Sequence, residues 1–332
     1  MLQKLSLFIL ISILLFSCNH IKNDKQLFMI KKDNKYGFIN NKGDIIIKPL
    51  YSSVSEFSEG LAKVEKNGKC GYIDKNGNNV IGLKFDNAGN FNGGLAKVFI
   101  NNKCGYINKT GNIITNVSYD DCFDFFENRA LIKIDGKYGF IDVKGCIKVK
   151  PQYKCASDFN EGYASVCKND KYGYIDTSGN LVINFQFDKA NSFYEGLACV
   201  EINDKYGYID KNGKIVINPQ FDMAWGFSEG LASISLANKY GFINRTGKII
   251  INPQFDMAWY FKEGMAGVNI NGKWGYIDKT GKMIIQPQFD YTESFNNGLA
   301  KITYGNTLDY DYDNIKIGYI NKKGIIIWNP IN

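Results

Sequence analysis

One spacing governs what this chain can become. A Gly followed by an aromatic residue and Ile recurs at Gly37, Gly71, Gly105, Gly139, Gly173, Gly207, Gly241 and Gly275, always 34 residues apart. A ninth copy, Gly318, follows after 43, so nine residues are inserted in the last unit. Lys stands two before this Gly in all nine copies, and another Gly, from Gly43 to Gly324, stands six after it. Phe stands twenty after it in all eight spacers, from Phe57 to Phe295. Units this alike cannot each hold a private core, so neighbours must stack and share one.

The period alone does not choose between helix and strand, because helical repeats of the same length exist. The pattern inside the unit does. No stretch carries apolar residues at helical spacing, and the apolar residues are mostly β-branched or aromatic. In the unit beginning at Met265, Met265 to Ile270 reads as a strand. Asn271-Gly272 reads as a two-residue hairpin turn with both residues at positive φ, and Lys273 to Asp278 as the second strand. Lys279-Thr280-Gly281 turns the chain into a third strand, Met283-Ile284-Ile285. That strand is apolar on both faces and is expected to be buried, with Pro287 marking its end. The spacer that follows carries two aromatics, such as Phe221 and Phe227, expected to plug between units. It closes on a Gly, such as Gly60 or Gly230, expected at positive φ. The expectation is an all-β tandem array of nine three-stranded antiparallel units. Nine is many for a closed ring, so an open superhelical solenoid is expected and a closed propeller-like ring is the alternative.

Lys273-Trp274-Gly275-Tyr276-Ile277-Asp278-Lys279-Thr280-Gly281-Lys282 with Pro287-Gln288-Phe289-Asp290 resembles the WG (KWG) β-repeat of bacterial proteins, over residues 27 to 331. The chain departs from that pattern in having Trp at the motif position only at Trp274. The resemblance implies a β-repeat array and no reaction.

Ahead of the array, Lys4 precedes an apolar run from Leu5 to Phe16 that ends in Leu15-Phe16-Ser17-Cys18. The run is short for a membrane span and fits a signal peptide. The tetrapeptide resembles the bacterial lipobox, which implies cleavage before Cys18 and acylation of its thiol and amine. The expected organisation is a signal over 1–17, lipidated Cys18 with a tether over 18–26, and the array over 27–332. The location implied is the bacterial cell envelope, lipid-anchored at the outer membrane and facing the periplasm or the surface.

Chemistry is bounded by the single histidine, His20, beside the signal. The array therefore offers no catalytic triad, no Cys-His pair and no His metal ligand. Net charge is +7 with acids and bases interspersed, so no clustered cation footprint for nucleic acid is present. No catalytic residue, cofactor or metal is expected. The function expected is non-enzymatic binding or scaffolding of a protein or glycan. A structural envelope component, or an enzyme or inhibitor using carboxylates, are the alternatives.

Four features are candidate sites. The Lys column could form a cationic stripe, but pairing with the spacer carboxylates Glu59, Glu127, Glu161, Glu195, Glu229 and Glu263 is the expected reading. The body cysteines share no metal-binding spacing, and Cys70 with Cys104 is the least implausible disulfide. The insertion carries Asp309, Tyr310, Asp311, Tyr312 and Asp313. Asn314 and Ile320 stand where a calcium loop needs Gly and Glu, so partner binding is expected there instead. Trp225 and Trp259 occupy equivalent spacer positions. Buried, as expected, they seal a seam; exposed, they stack on sugars.

Overall fold

The computed structural model describes residues 26–116, 118–305 and 316–329. Its strands form nine small antiparallel sheets, each of strands consecutive in sequence. Seven sheets have four strands; the first and third have three among the described residues. The unit is thus a four-stranded blade rather than a three-stranded meander. In blade 7 the strands are Met223–Ala224, Leu231–Leu236, Lys239–Asn244 and Ile249–Phe255. The short first strand comes from the spacer and pairs Met223 with Ser235 and Ala224 with Ile234.

The fourth strand departs from expectation twice. It runs through Pro253 to Phe255, pairing Tyr240 with Phe255 across register shifts. An edge strand tolerates Pro because its outward N–H has no ladder partner to lose. It also lies at the surface. Of its first three residues, Ile249 and Ile250 are exposed and only Ile251 is buried, and Ile284 in blade 8 is likewise 42% exposed. Apolarity on both faces therefore does not mean burial on both.

The repeated Gly is a contact requirement. A Cβ on Gly207 would lie 2.5 Å from Ile217 O and 2.6 Å from Pro219 N, because the fourth strand crosses directly over it. The hairpin turns follow the expected chemistry, with Asn271 and Gly272 at φ 52° and 78°. The spacer corner is tighter than one glycine: Glu229 and Gly230 are both left-handed, at 53° and 84°.

Blades stack through the predicted aromatic plugs. Phe221 and Phe227 are buried, and Phe227 packs on Tyr208 of the preceding blade at 5.0 Å between ring centroids. The same pair recurs as Tyr72–Phe91, Phe140–Phe159 and Tyr276–Phe295. Nine such steps bring the chain back on itself. Phe28, Ile30 and Ile39 of blade 1 share a core with Leu299, Ile317 and Tyr319 of blade 9, and the Phe28 and Tyr319 rings meet at 5.4 Å. The array is a closed nine-bladed propeller, so the open solenoid is corrected in favour of the ring. The sequence period sets the length of a unit, but the rotation between units is set by side-chain packing at each seam.

Candidate functional site

The charged columns stitch neighbouring blades together. Lys69, Lys103, Lys171, Lys205, Lys239 and Lys273 pair with Asp86, Asp120, Asp188, Asp222, Asp256 and Asp290 at 2.5–2.7 Å. The partner is the Asp that follows the spacer's first aromatic, not the spacer Glu. The Asp's second oxygen accepts a turn N–H of the next blade, as Asp222 does from Ala237 at 2.8 Å. The hydrogen bond from Lys205, then that N–H, hold the Asp222 carboxyl below the usual range. Six of the nine ammonium groups in the Lys column are engaged this way, so over those units the column is a set of seams and not a free cationic stripe.

The spacer Glu has a separate task. Glu229 Oε2 accepts from Gly264 N–H and from Lys279, each at 3.0 Å, joining blade 7 to blade 8. Burial works to raise this carboxyl, and the Lys279 and Gly264 hydrogen bonds outweigh it and hold it low. These contacts over-determine the left-handed Glu, a conformation costly for a non-glycine residue.

Cysteine pairing also differs from expectation. Cys104 in blade 3 is bonded to Cys122 in blade 4, while Cys70 is free and buried. Cys104 occupies the motif position and Cys122 the Ala position of the next blade's first strand. Those two positions face each other across a seam, whereas equivalent positions one unit apart, such as Cys70 and Cys104, do not.

Cys18 and the insertion residues Asp309, Tyr310, Asp311, Tyr312 and Asp313 lie outside the described residues. The insertion's flanks are described: Tyr304 pairs with Lys316, so the inserted residues fall between the second and third strands of blade 9.

Trp225 and Trp259 are not sealed away. Trp225 is 39% exposed and leans on Tyr240 at 5.4 Å. Trp259 is half-buried, stacked on Trp274 at 5.1 Å, with its indole N–H donated to Thr292 O at 3.0 Å. Between them opens a groove of about 610 Å³, lined also by Tyr194, Ser228, Tyr260 and Lys262. Tyr194 and Tyr260 are 47% and 49% exposed. The groove continues both ways. Tyr194 also lines a cavity of about 420 Å³ with Phe126 and Asp158, and Tyr260 one of about 340 Å³ with Tyr291 and Glu293. The result is one aromatic arc across blades 4 to 9.

Sequence reasoning singled out only the two tryptophans of this arc. The missed residues carry a signal of their own. Counting back from the spacer Gly, the third residue is always Phe and the first is usually Glu. The second, fourth and fifth vary freely: Trp225, Gly226 and Ser228 in one blade, Trp259, Tyr260 and Lys262 in the next. Within a repeat held constant by packing, positions that vary are those released from it, and these are the groove.

Eight tandem segments, residues 36–70, 71–104, 105–138, 138–172, 172–206, 206–240, 240–274 and 274–307, match the model of the WG containing repeat. The chain belongs to the WG-repeat family. The ninth WG unit, around Gly318, lies beyond the matched segments and forms the last blade. No curated protein matches the sequence. Among solved structures, one titled as the eukaryotic initiation factor aligns over 90% of this WG-repeat chain and 94% of its own, with TM-score 0.64 and 13% identity. That likeness concerns the fold alone. BamB from Moraxella catarrhalis aligns over 78% of this chain and 92% of its own, at TM-score 0.42 and 13% identity. AztD from Citrobacter koseri aligns over 89% and 91%, at 0.44 and 12%. Both are too loosely similar to bear on this WG-repeat propeller.

Proposed function

We propose that this propeller is a non-enzymatic, lipid-anchored binding protein of the bacterial envelope, held by Cys18 and engaging a glycan along its aromatic arc. The observation that carries the reading is the exposure of Trp225, Tyr194 and Tyr260 on one groove. Large aromatic faces left in water cost free energy unless a ligand covers them. Pyranose rings present flat C–H faces that cover such rings, and their hydroxyls reach the Ser and Asn groups between them. Nine near-identical units also suit a long contact surface better than a reaction centre, which needs unlike groups converging once. The anchor rests on Leu15-Phe16-Ser17-Cys18.

Two measurements test this. Cys18→Ala should move the protein from membrane to soluble fractions; retention in membranes would remove the anchor. Wild-type protein should be retained on a column of immobilised envelope polysaccharide and Trp225→Ala/Tyr260→Ala should pass through. Retention of both equally would leave the groove without a role. Capture of one protein partner dependent on residues 304 to 314 would favour the insertion as the contact surface instead.

A further inference from the structure

The cavity at one end of the arc has an acid and no base on its walls, whereas the groove carries Lys262 and the far cavity both Lys262 and Glu293. Its walls include the rings of Phe123, Phe126, Phe159 and Tyr194, with Asp158 among them. Asp158 and Asp124 occupy the same unit position in consecutive blades, where blades 6, 7, 8 and 9 carry Ser192, Gly226, Tyr260 and Ser294. One lysine serves both acids. Lys97 of blade 3 pairs with Asp124 at 3.4 Å, and its field also reaches Asp158. Two carboxylates against one ammonium leave one net negative charge beside the cavity, and Asp158 is the member of the three on its wall.

That charge is poorly satisfied. The Oδ1 atoms of Asp124 and Asp158 are both buried with no hydrogen bond among the described residues, Lys97 standing at ion-pair distance from the first. Burial, then the neighbouring Asp124, push the Asp158 carboxyl up to about 6, against the pull of Lys97. A carboxylate without a full partner in a desolvated site is stabilised by any cation that reaches it. The surrounding rings add to this, since aromatic faces attract organic cations.

We propose that this cavity binds a protonated amine, so that the glycan taken by the arc is one bearing free amino groups. The inference rests on the glycan reading of the groove given above. Anionic ligands such as nucleic acid or sulfated and uronic sugars are opposed by the same charge. A neutral sugar would cover the rings and leave the charge unmet. An ammonium group on a pyranose meets both demands, with its ring toward Tyr194 and Trp225 and its charge toward Asp158.

The test compares two hexasaccharides of one linkage, β-1,4-linked glucosamine and its fully N-acetylated counterpart, titrated calorimetrically into the full chain. The pH is set just above the value of about 6 held by Asp158. The wild type should bind the amine form at least tenfold more tightly. Asp158→Asn, which keeps shape and removes charge, should bring the two hexamers within about twofold. Phe126→Ala, at an exposed ring, should reduce the preference without touching the carboxylates and serves if the Asp158 variant does not fold. Equal binding of both hexamers by the wild type would overturn the amine assignment and leave the groove reading intact. Binding of neither would overturn the groove reading itself. A tenfold preference surviving in both variants would place the amine elsewhere and overturn the proposal.

Discussion

If the ring is closed, the first blade is as interior as any other, and truncating Ile30 to Ala tests it. Ile30 and Ile234 are equivalent positions, each paired with its motif glycine, Gly37 and Gly241. Both side chains are fully buried. Ile234 sits in the seam between blades 6 and 7 with Leu197, Tyr208 and Phe227. Ile30 sits in the closure seam with Leu299, Ile317 and Tyr319. Removing a buried Ile to Ala costs about 3 kcal/mol from lost transfer energy plus the cavity left behind. With about 2.1 cal/mol/K per residue over roughly 300 residues, that corresponds to a drop of about 5 °C in Tm. In an open array Ile30 would lie on an end face, where truncation costs well under about 1 kcal/mol and moves Tm by less than about 2 °C. The assay is thermal unfolding followed by far-UV circular dichroism at fixed protein concentration. Equal drops in Ile30→Ala and Ile234→Ala support closure. A full drop in Ile234→Ala with none in Ile30→Ala would refute the packing described for blades 1 and 9.

Other outcomes follow from the same structure. Gly207→Ala should destabilise by about 3 kcal/mol or more, since its Cβ meets main chain that cannot swing aside, while Gly82→Ala, with nothing within 4 Å, should be near neutral in the same melt. Cys104→Ser/Cys122→Ser should lose about 3 kcal/mol, the entropy of a loop closed at sequence separation 18, and the loss should match that caused by reductant on the wild type. Stability should change with pH in two opposite limbs. Asp158 is held up at about 6 by burial, so its contribution is present at low pH and fades as pH rises through that value. Lowering pH from 7 to 5 should therefore stabilise by about 1 kcal/mol, a figure discounted for partial exposure, and Asp158→Asn should flatten this limb. Asp86, Asp222 and Asp256 are held below 3.8 by their lysines and turn N–H groups, so their contribution is present above that value and is lost as pH falls through the lowered ones.

Much of the blade was legible because its determinants are local. Asn271-Gly272 declares its turn, and the column from Phe57 to Phe295 declares itself as a plug by never varying. What escaped depended on relations between units. The Lys–Asp seam spans 17 residues and forms only after one blade docks on the next, so the sequence points to Glu229 as the lysine's partner where the structure has Asp222. The Cys104–Cys122 bond obeys the same docking, and equal phase was the wrong guide to proximity. Ring closure is a sum of nine small rotations that no single unit encodes. The arc was half visible: Trp225 and Trp259 stand out by type, whereas Tyr194, Tyr260 and Asp158 stand out only once the constant columns around them are recognised as packing.

Occupation of the aromatic arc by a ligand is tested most directly by one titration. Tryptophan fluorescence of the full chain should change saturably as soluble envelope polysaccharide is added, because Trp225 and Trp259 both line the groove. Tyr260→Ala, which leaves both indoles in place, should weaken the apparent affinity at least tenfold with Tm unchanged. An affinity unmoved by that substitution, or no fluorescence change at saturating polysaccharide, would contradict the assignment of the arc.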